Sequence, residues 1–194
     1  MKAKMIVIDA LDGVGKTTTG RILAEELGGV FWNTPGPILR KLSPQINSCF
    51  QNHQLASCLF YAASVLSVGK NARQLVDSGT TVVIDRYWLS TISYARARGV
   101  HSNLGAIEEE IIRPDISIVL ELEETQRQER LFSRGMTSYD IETLESTFRN
   151  TIWKEMRMFR KDGLGPTHII NTTNLSPEKT CQEIIKTIMN SLSK

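Results

Sequence analysis

The chain is short of cysteine, of net charge and of long apolar runs, and each shortage removes a class of function. Its three cysteines, Cys49, Cys58 and Cys181, are odd in number and lack the close pairing that a metal site uses. They read as buried or inert thiols of a reducing compartment, not as a disulfide framework. Lys and Arg number 23 against 21 Asp and Glu, a net charge of +2. That is too little to draw in nucleic acid or an anionic membrane, so basic residues of consequence act locally. No apolar stretch approaches the length of a membrane span. The first strand reads from about Met5, so no signal or transit peptide is expected. Repeats, low-complexity tracts and linkers are also missing. The expectation is a cytoplasmic protein forming one domain over residues 1–194, with 41% hydrophobic residues to fill its core.

What is present is concentrated in MIVIDALDGVGKTTTG, from Met5 to Gly20. Met5, Ile6, Val7 and Ile8 form the short apolar run of a strand buried on both faces. Thr18 to Leu27 reads as a helix, with Ile22, Leu23 and Leu27 on one side and Arg21, Glu25 and Glu26 on the other. Strand, tight glycine-bearing loop and helix in that order make a phosphate-binding loop. Its backbone N–H groups close around polyphosphate oxygens, and the helix N-terminus adds a favourable dipole. Asp12, Gly13, Val14, Gly15, Lys16, Thr17 and Thr18 are the candidate ATP-binding residues. Lys16 would reach the β- and γ-phosphates and the Thr17 hydroxyl would hold Mg²⁺. The first glycine of the usual pattern is Ala10 here, a change the turn tolerates if φ stays negative.

Four further apolar runs predict strands at Val30–Asn33, Thr80–Ile84, Ile116–Leu122 and Thr167–Ile170. Helices are expected between them: most of Gln45–Val68, a separate piece at Asn71–Asp77, Leu89–Arg98, Leu104–Ile112, Glu123–Arg134, a long one at Ile141–Arg160, and one opened by Ser176-Pro177. This alternation predicts an α/β, three-layer P-loop NTPase fold with a five-stranded parallel sheet flanked by helices. Thr34-Pro35-Gly36-Pro37 forms a stiff loop after the second strand, suited to holding a ligand group and equally to a plain turn. Asp85, at the C-terminal end of the third strand, is placed to hold Mg²⁺, and Arg86 to hold phosphate. Arg127, Arg130 and Arg134 share one helix face ahead of Gly135, which reads as a lid at about 134–140.

Phosphoryl transfer needs charge neutralisation and alignment more than a protein nucleophile. Lys16, Arg40, Arg86, Arg130 and Arg134, with Mg²⁺, are the groups that would hold two anionic phosphates together. A closing lid would keep water from the γ-phosphate. A nucleoside kinase, whose acceptor is a hydroxyl, and a catalytically degenerate nucleotide-binding regulator are the rival readings.

Over nearly its whole length the chain resembles the thymidylate kinase family of nucleoside monophosphate kinases. The likeness is carried by Asp12-Gly13-Val14-Gly15-Lys16-Thr17-Thr18, Thr34-Pro35-Gly36, Phe60-Tyr61-Ala62-Ala63, Asp85-Arg86-Tyr87 with Ser90 and Tyr94, Arg113-Pro114-Asp115, and Arg130 with Arg134-Gly135. Asp85-Arg86-Tyr87-Trp88 and Ser133-Arg134-Gly135-Met136 look most like the thymidylate-kinase-like domain of mitochondrial UMP–CMP kinase. The resemblance implies ATP and Mg²⁺, a nucleoside monophosphate acceptor and a homodimer. It implies that Asp12 approaches the acceptor sugar, that Phe60 stacks on the acceptor base and that Tyr94 lies beside the sugar. Arg40 and Arg86 would hold the acceptor phosphate and the transferring group, and Asn171 and Thr172 would flank the ATP adenine. Three departures stand against it: Asn33 and Thr34 where a charged pair is usual, Ser64 where many members carry a base-reading arginine, and Ala10. Losing that arginine costs roughly tenfold to a hundredfold in discrimination. The expected acceptor is dTMP, with UMP, CMP, dUMP or dCMP as the alternative.

Overall fold

All five apolar runs become strands in the computed structural model, which describes residues 2–50, 53–162 and 165–192. The strand β1 (Met5–Asp9) passes through the P-loop into α1 (Lys16–Glu26), and β2 (Val30–Asn33) follows. The helices α2 (Pro37–Cys49) and α3 (Gln54–Asp77) lead to β3 (Val82–Asp85). Next come α4 (Trp88–Ala97), α5 (Gly105–Glu110) and β4 (Ile116–Glu121). Three helices, α6 (Glu124–Arg134), α7 (Ser138–Glu142) and α8 (Ser146–Asp162), precede β5 (Thr167–Asn171) and α9 (Pro177–Leu192). The sheet is wholly parallel in the order β2-β3-β1-β4-β5.

Alternation along the strands divides the core into two layers. Ile6, Ile8, Ile118 and Leu120 join a cluster with Leu23 of α1 and with Ile184 and Ile188 of α9. Met5, Val7, Val82 and Ile84 join another with Val65, Ala72 and Val76 of α3 and with Trp88 and Ile92 of α4. Every residue of β1 is buried, as an apolar run in a central parallel strand should be. Two of the cysteines, Cys58 and Cys181, are buried, and Cys49 is exposed. Among the described residues no helix is long and apolar enough to cross a membrane.

Helix boundaries differ from expectation in two places. The segment expected as Gln45–Val68 plus a separate Asn71–Asp77 is instead α2, starting at Pro37, and an unbroken α3. The division falls near His53, whose Nδ1 accepts the Ala56 N–H and caps α3. Gly69 lies buried within α3, where a Cβ would come within 2.0 Å of the Tyr87 hydroxyl. The long helix expected at Ile141–Arg160 is two helices, divided by their own caps. Thr137 and Asp140 form a reciprocal capping box for α7, and the Glu145 carboxylate takes the N–H groups of Thr147 and Phe148 at the head of α8.

Candidate active site

In a parallel sheet ligands bind beyond the strand C-termini, where neighbouring connections run in opposite directions. Here that point lies between β1 and β3, since one connects toward β2 and the other toward β4. The P-loop leaves β1 and the Asp85-Arg86 turn leaves β3, so both line one cleft of about 520 Å³.

Gly13 and Gly15 take φ values of +86° and +106°, which an L side chain would strain. A Cβ on Gly13 would also meet Leu131 Cδ2 at 2.9 Å. Ala10 is buried and has no positive φ, so the turn closes without its usual first glycine. Lys16 folds back, with Nζ donating to the Leu11 carbonyl at 2.8 Å and lying 3.8 Å from Asp12 Oδ1. Burial, helped by Arg86 and opposed by Asp12, Asp85 and Asp9, pulls the Lys16 ammonium down to about 8.

Asp12 joins Arg86 to Tyr94. Its Oδ1 accepts from Arg86 Nη2 at 2.5 Å and its Oδ2 from the Tyr94 hydroxyl at 3.3 Å. Burial alone would raise the Asp12 carboxyl, but Arg86 and Lys16 outweigh it and hold it well below the usual carboxylate range. Burial pushes the Tyr94 phenol up to about 12, so it stays a donor, and the Arg86 guanidinium sits 5.1 Å over its ring. Thr17 Oγ1 donates to Asp85 Oδ2, while Asp85 Oδ1 is buried with no partner. An orphaned carboxylate oxygen beside a hydroxyl is the hard-oxygen donor set that Mg²⁺ takes, so Thr17 and Asp85 fit the ion.

All five expected cations, Lys16, Arg40, Arg86, Arg130 and Arg134, line the cleft, with Asp12 and Asp85 as its only carboxylates among the described residues. Arg130 Nη1 donates to the Val14 carbonyl and Arg134 pairs with Asp140 at 2.6 Å. Arg127 does not share that role. It is fully buried, with its guanidinium on Glu124, Thr143 and the Asp12 carbonyl, partners that packing against α6 brings to it. The face of three arginines is thus two cleft residues and one structural pin.

The remaining expected residues are spread around this cleft. Thr34 is buried beyond β2, its N–H on the Asp85 carbonyl, and its peptide bond to Pro35 is cis. Phe60 and Ser64 lie one turn apart on α3 and do not line the phosphate cleft; Phe60 packs against Phe50 and Tyr61, and the Ser64 hydroxyl returns to the Phe60 carbonyl. Of the adenine pair, Thr172 lines the cleft, whereas Asn171 is exposed and caps Thr173 N–H. Leu175, Pro177 and Thr180 extend this wall, a contribution that sequence reading missed because wall residues carry no motif.

Fold and cleft together define a P-loop nucleoside monophosphate kinase. The family model described as thymidylate kinase matches residues 8–184. The chain belongs to the thymidylate kinase family. A probable thymidylate kinase of Thermococcus gammatolerans is 29% identical over 173 residues, 79% of this chain and 83% of that protein. Another, from Archaeoglobus fulgidus, is 31% identical over 141 residues, 69% of this chain and 72% of its own length. Among solved structures, the thymidylate kinase of Candida albicans superposes with a TM-score of 0.77 at 18% identity, over 98% of this chain and 92% of that one. The thymidylate kinase of Ehrlichia chaffeensis gives 0.70 at 20%, covering 97% and 100%.

Proposed function

We propose that the protein transfers the γ-phosphoryl group of ATP to the phosphate of a pyrimidine nucleoside monophosphate, chiefly dTMP. The observation that carries this is the convergence of five cations on one P-loop cleft that holds, among the described residues, only two carboxylates. An acceptor phosphate oxygen forms the new bond to the γ-phosphorus as the bond to the ADP oxygen breaks. No protein nucleophile is needed, and the side chains neutralise and align the two anions. Lys16 leaves the Leu11 carbonyl for the phosphates, and Arg86, already turned by Asp12, holds the acceptor phosphate and the transferring group. Arg40, Arg130 and Arg134 supply the rest of the positive field, with residues about 134–140 as the lid that excludes water. Thr17 and Asp85 would hold Mg²⁺, which when bound would supply charge neutralisation on the phosphates. Asp12 and Tyr94 face the acceptor sugar, Phe60 and Ser64 the base beyond it, Thr34 and Pro35 the acceptor loop, and Asn171 and Thr172 the adenine.

Family likeness supports a cytoplasmic homodimer, and sedimentation velocity reads the oligomeric state directly. The test of function is ADP release with ATP–Mg²⁺ and dTMP, dUMP, UMP, CMP, dCMP, AMP or thymidine. Turnover on the order of 1–100 per second with dTMP is expected. Nucleotide binding without transfer to any acceptor would overturn the reading.

A further inference from the structure

Asp9, the last residue of β1, is 1% exposed and is not among the residues that line the cleft. Its Oδ1 nevertheless accepts three donors from Tyr87 and Ser90, at the head of α4. The N–H groups of Tyr87 and Ser90 lie 3.1 Å away, and the Ser90 hydroxyl also donates to it. Between the strand end and those donors stands Arg86, with φ +67°, a left-handed conformation that residues with a Cβ avoid. The peptides on either side of it are tied to β1, through Arg86 N–H to the Ile8 carbonyl and Tyr87 N–H to Asp9. The chain of contacts then returns to the guanidinium. Ser90 Oγ lies 3.4 Å from Arg86 Nη1, and Arg86 Nη2 is the atom that meets Asp12.

We propose that Asp9 and Ser90 are positioning residues for Arg86, Asp9 holding its backbone left-handed and Ser90 aiming its guanidinium into the cleft. This rests on the reading that Arg86 holds the acceptor phosphate and the transferring phosphoryl group. Strained backbone at a working residue persists only where its surroundings over-determine it, and the ties of its two flanking peptides to Ile8 and Asp9, with Ser90 anchored on the same carboxylate oxygen, do so here. The pin needs an acceptor oxygen and does not need the charge. Asp9 Oδ2 is buried without a partner, and burial raises the carboxyl pKa against the opposing pull of its Ser90 and Tyr87 bonds. A side-chain amide keeps Oδ1 for the three donors and puts its NH₂ where the unpartnered Oδ2 now stands.

Ser90→Ala, Asp9→Asn and Asp9→Ala are the variants to compare with wild type. The readouts are kcat, KM for dTMP and for ATP, thermal melting, and the Arg86 Nε–H resonance in the ligand-free protein, assigned by Arg86→Lys. Ser90→Ala should lower kcat about tenfold, with KM for ATP and the melting temperature close to wild type and the Arg86 resonance displaced. Asp9→Asn should recover most of what Asp9→Ala loses. An unmoved resonance with full kcat in Ser90→Ala would overturn the proposal. So would an Asp9→Asn that falls tenfold or more below wild type, which also decides the matter if Asp9→Ala does not fold. Were the wild type to phosphorylate no monophosphate, the kinase reading would fall. The resonance would then decide positioning by itself, displacement supporting it and constancy refuting it.

Discussion

Arg127 donates from Nη1 to the carbonyl oxygen of Asp12 at 3.0 Å, joining α6 to the middle of the P-loop from behind. The same guanidinium holds Glu124 and the Thr143 carbonyl, so one fully buried side chain fixes the loop, α6 and the segment after α7. Arg127→Met should cost about 2–4 kcal/mol in urea unfolding, since it leaves buried carbonyls unpaired. Arg127→Lys should recover little, because an ammonium cannot span the fork of partners. An Arg127→Met protein as stable as wild type would remove the pin.

Lys16→Ala should lower kcat on the order of a hundredfold or more while leaving the melting temperature close to wild type. Lys16 makes one carbonyl bond and a long approach to Asp12, so little fold stability is at stake. Near wild-type turnover would contradict the P-loop assignment.

The Asp12 carboxyl predicts an acid limb to stability. Its native value lies below the ordinary 3.8, since Arg86 and Lys16 outweigh the burial that raises it. Between the two values the unfolded chain binds more protons, so stability falls with falling pH there. The contribution is complete above pH 3.8 and is lost progressively below it. The urea stability of wild type over Asp12→Asn should therefore be constant from pH 7 to about 5 and shrink below about 4. A gap independent of pH would show that the pair with Arg86 does not operate in solution.

Ser64→Arg tests how far α3 reads the acceptor base. Ser64 is 1% exposed and bonded within its helix, so an arginine there must extend toward the proposed base site or disturb the packing of α3. The expected result is a preference for dTMP over UMP and CMP raised about tenfold, measured as the ratio of kcat/KM values. A lower melting temperature with an unchanged acceptor ranking would place Ser64 outside the pocket.

Gly69 and Tyr87 should be coupled. A Cβ at 69 would overlap the Tyr87 hydroxyl, which donates to the Ile112 carbonyl at 2.9 Å. Gly69→Ala should cost about 1–3 kcal/mol by overpacking, and adding Tyr87→Phe should return part of that loss. Strict additivity in a double-mutant cycle would show that the two do not share the space.

Strand positions were legible because each strand is a short apolar run between turn residues, a signal that depends on neighbours in sequence. The cleft cations were legible for a related reason: motif spacing on known elements fixes Lys16, Arg86, Arg130 and Arg134 without knowledge of packing. Arg127 shows where that reasoning stops. Helical spacing puts it with Arg130 and Arg134, but only the approach of Thr143 and the Asp12 carbonyl decides that it points inward. Asp9 was hidden for the same reason, since its donors come from residues 87 and 90 across the sheet. Helix ends at His53, Thr137 and Glu145 are set by side-chain caps that compete with apolar periodicity and leave a fainter mark.

The strand order also has a history in time. β1 carries the P-loop and lies at the middle of the sheet, yet Met5 pairs with Val82 and Ile6 with Ile116. During synthesis the earliest apolar run must wait for partners made far later, while β2, the next strand to appear, never touches it. Such long-range parallel pairing slows folding and leaves apolar edges open to the wrong neighbour. The nucleotide cleft therefore cannot assemble piecemeal: its two sides exist together only after β3 has threaded between the first two strands to be made.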